Sequence, residues 1–188
     1  MHILFIEKIL WTALGIYWLI SAFFVKKTIK QQSGLQRFVY VLVIAIAFIL
    51  LFTNDFNLSF LYLHILPQNQ SWKIAGLVLC IASLSFCLWA RIHLGENWSG
   101  AITIKEGHEL VQNGPYAITR NPIYTGLLFA FLGSCMSEGL LKGYLGLPLV
   151  VTGLLIKIFK EEQFMTEAFG EKFLNYKMKV KRLVPFIY

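Results

Sequence analysis

The residues whose types could support binding or catalysis are concentrated in one stretch of the chain, residues 93–126. This stretch combines polar, glycine and aromatic residues, whereas the sequence on both sides of it is strongly apolar. Functional residues often lie on loops that a rigid scaffold positions. We therefore take residues 93–126 as the candidate functional region.

The absence of several common motifs from the sequence excludes some kinds of active site. The sequence has no G-x-x-x-x-G-K-[ST] phosphate loop and no G-x-G-x-x-G nucleotide motif. It also lacks a zinc-binding H-E-x-x-H and a G-x-S-x-G nucleophile elbow. His108 and Glu109 are neighbours without further ligands at metal-binding spacing, so we predict no metal site. An ATPase or a zinc protease is not supported.

The composition indicates that this region belongs to a membrane protein. Of the 188 residues, 57% are hydrophobic and only 14% are charged, with a mean hydropathy of +0.63. Typical soluble domains carry about 25% charged residues. So few charges could not cover the surface of a soluble protein of this size. Disorder, coiled coils and nucleic-acid binding are excluded as leading interpretations, despite the net charge of +7.

We predict an all-α, polytopic integral membrane protein with about five transmembrane helices. A hydrocarbon core about 30 Å thick requires roughly 20 apolar residues in helical form. The candidate region then forms a loop between the third and fourth spans. The short fourth span and the fifth span form a helical hairpin. The five predicted spans are Ile9–Val25, Leu35–Thr53, Trp72–Leu94, Pro122–Ser137 and Leu140–Phe159.

The distribution of basic residues predicts the orientation. With five spans, 14 of the 17 Lys and Arg residues fall on one side, and only Lys8, Lys73 and Lys142 fall on the other. The positive-inside rule places the richer side in the cytoplasm. We therefore expect an outside N-terminus, a cytoplasmic candidate loop and a cytoplasmic C-terminus. A prokaryotic plasma membrane is favoured over the endoplasmic reticulum.

The C-terminal tail is predicted to be an amphipathic helix. Met165, Phe169, Phe173 and Tyr176 recur at spacings of four, four and three residues, as on one face of a helix. Such a helix could lie at the membrane surface, with its lysines against anionic headgroups. Alternatively, its first turn could close a binding site.

An ordered set of motifs in the second half of the chain resembles the isoprenylcysteine carboxyl methyltransferase family, which includes relatives of the phospholipid methyltransferases. The main match is the run His108-Glu-Leu-Val-Gln-Asn-Gly-Pro-Tyr-Ala-Ile-Thr-Arg-Asn-Pro-Ile-Tyr-Thr-Gly126. The later matching elements are Leu94-Gly95 with Trp98-Ser99, Glu161-Glu162, Phe169-Gly170 and Tyr176. The resemblance covers about residues 72–188.

The resemblance implies a single membrane-embedded methyltransferase domain over 1–188. Residues 1–71 would supply two spans and an outer segment, and 72–188 the catalytic core. S-adenosylmethionine is the implied cofactor, and the implied acceptor is lipophilic or prenylated and enters beside membrane lipids. Nucleic acid is not an expected partner, and the oligomeric state stays open.

The resemblance also assigns roles to individual residues. Arg120 and Lys157 are the implied catalytic residues, near the acceptor. The implied cofactor-binding residues are His108, Glu109, Leu110, Val111, Tyr116, Asn121, Pro122, Ile123, Tyr124 and Glu161. Two of these positions depart from the family pattern, because Asn121 replaces a histidine and Lys157 replaces an arginine. Lysine can attract an anion but lacks the bidentate fork of arginine.

The identity of the acceptor has several alternatives. Carboxyl methylation of isoprenylcysteine is the first choice, with phospholipid amine N-methylation and small-thiol S-methylation as alternatives in the same family. An amine acceptor would need a base, for which Glu161 or His108 are candidates. A non-enzymatic scaffold or transporter subunit is the alternative of another class. A nicotinamide-dependent reductase ranks low, because the loop has few basic residues for phosphates.

Overall fold

The computed structural model describes residues 2–31, 33–98, 103–105, 107 and 109–188. Its framework is helical, and the α-helices are α1 His2–Ser21, α2 Gly34–Phe52, α3 Gln70–Leu94, α4 Pro115–Ile118, α5 Pro122–Glu138, α6 Leu141–Phe169 and α7 Glu171–Lys179. Short 3₁₀ helices span Ser59–Tyr62 and Gly95–Asn97. Strands β1 Thr28–Gln31 and β2 Thr103–Lys105 form an antiparallel pair, which the sequence analysis did not predict.

The prediction of a polytopic helical membrane protein is confirmed. Among the described residues, three helical stretches are long and apolar enough to cross a membrane: Ile3–Ser21, Gln70–Asn97 and Leu141–Phe169. Arg37–Phe52 is a shorter apolar helix, and α5 has 17 residues. The number of five spans therefore stays a prediction.

Two predicted boundaries in the C-terminal half are wrong. The fifth span was expected to end at Phe159, but α6 continues to Phe169 because the charged residues after Phe159 end the apolar run without breaking the helix. The tail was expected to be one amphipathic helix. Instead the chain breaks at Gly170, whose φ of +51° favours glycine. Met165 and Phe169 therefore lie on α6, and Phe173 and Tyr176 on α7.

The helices pack around a core shared by α2, α5 and α6. Ala47 and Leu51 of α2 contact Phe131 of α5 and Val150 and Leu154 of α6, and all five side chains are buried. Outside this core the helices expose many large apolar side chains, and Leu19 of α1 is 71% exposed. An apolar exterior is what a hydrocarbon environment requires.

Close approach of α3 and α5 depends on glycines where the two helices meet. A Cβ atom on Gly133 would lie 2.6 Å from the backbone nitrogen of Cys80, and one on Gly126 would lie 2.6 Å from the Ser83 carbonyl oxygen. The atoms in the way belong to the backbone and cannot rotate aside. Small residues commonly allow such backbone contact between membrane helices. The pair α3–α5 in turn brings the end of α3 next to the start of α5.

We expect Gly133→Ala to separate α3 from α5 and to destabilise the protein by about 1–3 kcal/mol, as overpacking does. Thermal unfolding in detergent measures the effect. Gly15→Ala is the matched control, because a Cβ atom there meets nothing within 4 Å. Equal stability of the two variants would contradict the close packing described here.

Candidate functional site

A cleft opens where α3 ends and α5 begins, between these helices and the C-terminal part of α6. It encloses about 870 Å³ of space, open solvent at its mouth included. Its lining residues are Leu94, Asn97, Trp98, Glu109, Leu110, Val111, Tyr116, Arg120, Asn121, Pro122, Ile123, Tyr124, Glu161, Glu162, Met165, Phe173 and Tyr176.

The first turn of α5 and the last third of α6 meet through a tyrosine and a glutamate. Pro122 begins α5, where a missing backbone donor costs nothing. This start places Tyr124 toward α6, where its hydroxyl donates a hydrogen bond of 2.6 Å to Oε1 of Glu161. The Glu161 side chain is 21% exposed, so it still faces the cleft. The bond fixes one of the two carboxylate oxygens of Glu161.

Lys157 lies one helical turn before Glu161, away from the cleft lining. Its ammonium is 3.9 Å from Oε1 of Glu161 and only 13% of the side chain is exposed. It also lies 5.1 Å from the centre of the Tyr124 ring and 5.5 Å from that of Tyr40 on α2. These are cation–π distances. Lys157 therefore occupies the wall between the cleft and α2.

Arg120 binds the neighbouring glutamate instead of pointing freely into the cleft. Its Nε and Nη2 atoms contact Oε1 of Glu162 at 3.0 and 2.9 Å. Its Nη1 atom donates to the carbonyl oxygens of Lys177, at 3.1 Å, and Val180. The guanidinium thus links the segment before α5, helix α6 and the chain after α7.

Glu162 forms ion pairs with basic residues from the C-terminal part of the chain. Arg182 approaches both of its oxygens, with Nε 3.2 Å from Oε1 and Nη2 3.1 Å from Oε2. Lys177 lies 3.6 Å from Oε2. The Glu162 side chain is only 6% exposed. Burial alone would lower the pKa of Arg182, but its hydrogen bonds to the Glu162 carboxylate more than offset this and raise that pKa.

Polar side chains near the start of α5 bind the backbone of the C-terminal segment. Asn121 Nδ2 donates to the Arg182 carbonyl oxygen at 2.9 Å, and Thr125 Oγ1 donates to that of Leu183 at 2.6 Å. The hydroxyl of Tyr176 on α7 donates to the carbonyl oxygen of Tyr116. Burial raises the pKa of both tyrosines, so both hydroxyls keep their protons at neutral pH. The chain after α7 is therefore tied to the start of α5, and α7 contributes Phe173 and Tyr176 to the lining of the cleft.

The cleft brings together ten of the twelve residues that the family resemblance selected. These are Glu109, Leu110, Val111, Tyr116, Arg120, Asn121, Pro122, Ile123, Tyr124 and Glu161. Lys157 lies beside the cleft, next to Glu161, and is not part of its lining. His108 lies outside the described residues. The roles of these residues stay predictions.

Sequence reasoning missed several cleft residues. Trp98 and Asn97 follow α3, Met165 extends the α6 wall, and Phe173 and Tyr176 come from α7. The spacing of apolar residues from Met165 to Tyr176 was a signal for Met165, Phe173 and Tyr176, since a regular apolar face indicates packing against another part of the protein. Glu162 was recognised as half of a pair, but its ion pairs depend on residues that follow α7.

Replacing Glu162 by Gln is expected to loosen the C-terminal segment from the cleft, because two arginines lose the carboxylate that neutralises them. Breaking a buried ion pair from one side costs about 3–5 kcal/mol. Thermal unfolding measures the loss, and hydrogen exchange of residues 180–188 locates it. Glu171→Gln is the control, since Glu171 is an exposed residue of α7. Unchanged exchange in the Glu162 variant would contradict this role.

Comparison with known proteins identifies the family. The model of the family described as phospholipid methyltransferase matches residues 72–172. Protein-S-isoprenylcysteine O-methyltransferase B of Arabidopsis thaliana is 29% identical over 63% of this chain and 63% of its own length. A probable protein-S-isoprenylcysteine O-methyltransferase of Oryza sativa subsp. indica is 26% identical over 91% of this chain and 88% of its own.

A solved structure has the same fold. It is the eukaryotic intramembrane Ras methyltransferase ICMT, isoprenylcysteine carboxyl methyltransferase, which is 21% identical and superposes with a TM-score of 0.53. The match covers 83% of this chain and 54% of that one. The chain thus spans 63% of the Arabidopsis relative and about half of the solved protein. Because the family model covers more than half of the chain, this protein belongs to the phospholipid methyltransferase family.

Proposed function

We propose that the protein transfers a methyl group from S-adenosylmethionine to a lipophilic acceptor, and that this acceptor is the carboxylate of an isoprenylcysteine. The observation that carries the proposal is that Tyr124 and Glu161, which line the cleft, lie against Lys157 directly behind its wall. It sets a carboxylate for the cofactor beside a cation for an anionic acceptor. The names and the fold of the relatives support the same reaction.

The residues of the cleft fit the cofactor in chemical type. S-adenosylmethionine has a flat purine, two ribose hydroxyls and a sulfonium cation. The aromatic and apolar walls from Tyr116, Phe173 and Val111 suit the purine, and Glu161 suits the hydroxyl groups or the positive charge. When bound, the cofactor supplies an activated methyl group, so the protein need not generate one.

In this proposal the chain provides orientation and excludes water. Glu161 accepts hydrogen bonds from the cofactor while Tyr124 holds its other oxygen. His108, Glu109, Leu110 and Val111 contribute mainly backbone groups. Orientation of two reactants supplies up to about 7–11 kcal/mol. A carboxylate acceptor is already ionised at neutral pH, so no side chain has to remove a proton.

Lys157 attracts the acceptor in this proposal. Its ammonium lies between the cleft and α2, 5.5 Å from the centre of the Tyr40 ring. An isoprenoid chain in the hydrocarbon region then leaves its carboxylate near a partly desolvated cation. Arg120 is assigned a positioning role instead of a catalytic one, because its guanidinium binds Glu162 and backbone carbonyls.

The proposal includes the orientation predicted from the basic residues. The cofactor is soluble in the cytosol, and the cleft would therefore open on the cytoplasmic side, with the N-terminus outside. The excess of Lys and Arg in the loop that follows α3 and in the tail supports this arrangement.

Glu161→Ala is expected to weaken binding of S-adenosylhomocysteine by about tenfold or more, the cost of one charge-assisted hydrogen bond. Tyr124→Ala is expected to act in the same direction by releasing the Glu161 carboxylate. Calorimetry on detergent-purified protein measures both. The control is Glu171→Gln, which leaves the cleft intact. Unchanged affinity in both cleft variants, with the fold retained, would refute the proposed cofactor site.

Lys157→Met is expected to raise the KM for N-acetyl-S-farnesylcysteine by about tenfold while the affinity for S-adenosylhomocysteine stays close to wild type. Lys157→Arg, which keeps the charge, should restore a low KM. A radiolabelled methyl-transfer assay with purified protein measures both constants. The carboxamide of N-acetyl-S-farnesylcysteine, which has no carboxylate to methylate, is the uncharged control: as a competing ligand it should inhibit the wild type and Lys157→Met equally.

The same assay distinguishes the alternative acceptors. Methylation of phosphatidylethanolamine or of a small thiol, without methylation of the farnesylcysteine carboxylate, would overturn the acceptor but keep the methyltransferase. The description of the family makes the phospholipid amine the second candidate.

A further inference from the structure

The connection between α1 and α2 lies against the loop that follows α3, beside the cleft. The backbone nitrogen of Lys26 donates a hydrogen bond of 3.0 Å to the carbonyl oxygen of Glu96. Farther along the same two segments, strand β1 pairs with strand β2. The α1–α2 connection lies outside residues 72–172, which match the family model. The N-terminal part of the chain therefore contacts the cleft region in a way that the family motifs do not include.

A buried arginine fixes the end of α1 to the wall of the cleft. Arg91 on α3 is 3% exposed, and it donates to the carbonyl oxygens of Gly95 at 2.9 Å and Ser21 at 3.1 Å. Its guanidinium carbon lies 4.2 Å from the centre of the Trp98 ring, and Trp98 lines the cleft. Val25 packs against the apolar cluster that contains Trp98. The start of the α1–α2 connection is therefore held in a fixed position relative to the cleft.

The side chain of Lys26 connects the two ends of the loop that follows α3. Its ammonium donates to Oδ1 of Asn97 at 3.3 Å and to the carbonyl oxygen of Gly107 at 3.2 Å. Asn97 lines the cleft directly after α3. Gly107 lies two residues before Glu109, where the chain lines the cleft again. One ammonium group therefore joins the points at which the loop leaves the cleft lining and returns to it.

The chemistry of lysine suits this connection. An ammonium group has three donors on a flexible stem, so it can bind two oxygens that approach from different parts of the chain. A hydrogen bond from a charged donor is stronger than one between neutral groups. Bringing the ends of a loop together costs conformational entropy. The two hydrogen bonds of Lys26 offset this cost before any ligand enters the cleft.

We propose that Lys26 is a positioning residue for the cofactor, which holds both ends of the loop so that Asn97 and Glu109 are in place when the cofactor binds. The inference rests on the proposed function, because it takes the ligand of the cleft to be S-adenosylmethionine. Lys26 is not among the residues that line the cleft, and it acts through Asn97 and Gly107. Ordering a site in advance raises affinity because less entropy is lost on binding.

Lys26→Met removes the ammonium and keeps an unbranched side chain. We expect it to weaken binding of S-adenosylhomocysteine about tenfold, because the loop then has to be ordered at each binding event. Calorimetry on detergent-purified protein measures this affinity. In the methyl-transfer assay the KM for S-adenosylmethionine should rise by a similar factor, whereas kcat and the Tm stay close to their wild-type values. A general loss of stability would instead lower the Tm and kcat.

Lys27→Met is the matched control, since it removes the same charge from the next residue, which is exposed. Lys26→Arg keeps a charged donor and should bind S-adenosylhomocysteine about as tightly as the wild type. Equal affinities in Lys26→Met and Lys27→Met would overturn the inference. Equal losses in both would also overturn it, because the change in net charge would then be the cause. A fall in kcat at an unchanged KM for S-adenosylmethionine would be a third contrary result.

Hydrogen exchange of the ligand-free protein separates this inference from the proposed function. Lys26→Met should speed exchange of the amides of residues 95–107, and Lys27→Met should not, whatever ligand the cleft binds. A wild-type protein that does not bind S-adenosylhomocysteine would refute the proposed function, and the role of Lys26 toward the cofactor with it. Normal binding by the wild type, with unchanged exchange and affinity in Lys26→Met, would overturn only the role of Lys26.

Discussion

The carboxylate of Glu162 is the interaction on which the cleft depends. It is buried on α6, yet its partners come from the segment before α5 and from the chain after α7. Without Glu162, Arg120 and Arg182 would bring two positive charges close together in a poorly hydrated place. With it, two separate parts of the chain are fixed to α6. Charge neutralisation therefore fixes the chain after α7 next to the cleft, while helix packing sets the positions of α3, α5 and α6.

The adjacent glutamates Glu161 and Glu162 make different contacts because their side chains leave α6 in different directions. Glu161 and Glu162 are adjacent on α6, so their side chains point about 100° apart around the helix axis. One meets Tyr124 and faces the cleft, and the other meets the two arginines. Two identical side chains therefore have different environments, one open to a ligand and one fully engaged. One glutamate of the pair therefore contacts the cleft wall at Tyr124, while the other fixes the two arginines.

The sequence predicted the cleft more reliably than it predicted the helix boundaries. Tyr116, Arg120, Tyr124 and Glu161 were selected by an ordered motif, and all four line one cavity. The contacts of Arg120 could not be predicted from the sequence, because its partner Val180 is 60 residues away and no local pattern encodes such a contact. The continuation of α6 beyond Phe159 was missed because hydropathy marks where an apolar run ends, and the backbone helix does not have to end there.

The length of α6 has a consequence for the relation between the protein and its membrane. Its 29 residues extend about 44 Å, whereas the hydrocarbon core is about 30 Å thick. If the core begins near Leu141, the helix leaves it near Glu161. The helix would then hold the Glu161 carboxylate at the boundary between the hydrocarbon core and the aqueous phase. Under the proposed function, a thicker or thinner bilayer would shift a lipid-anchored acceptor relative to Glu161, so the thickness of the membrane would affect the rate of turnover.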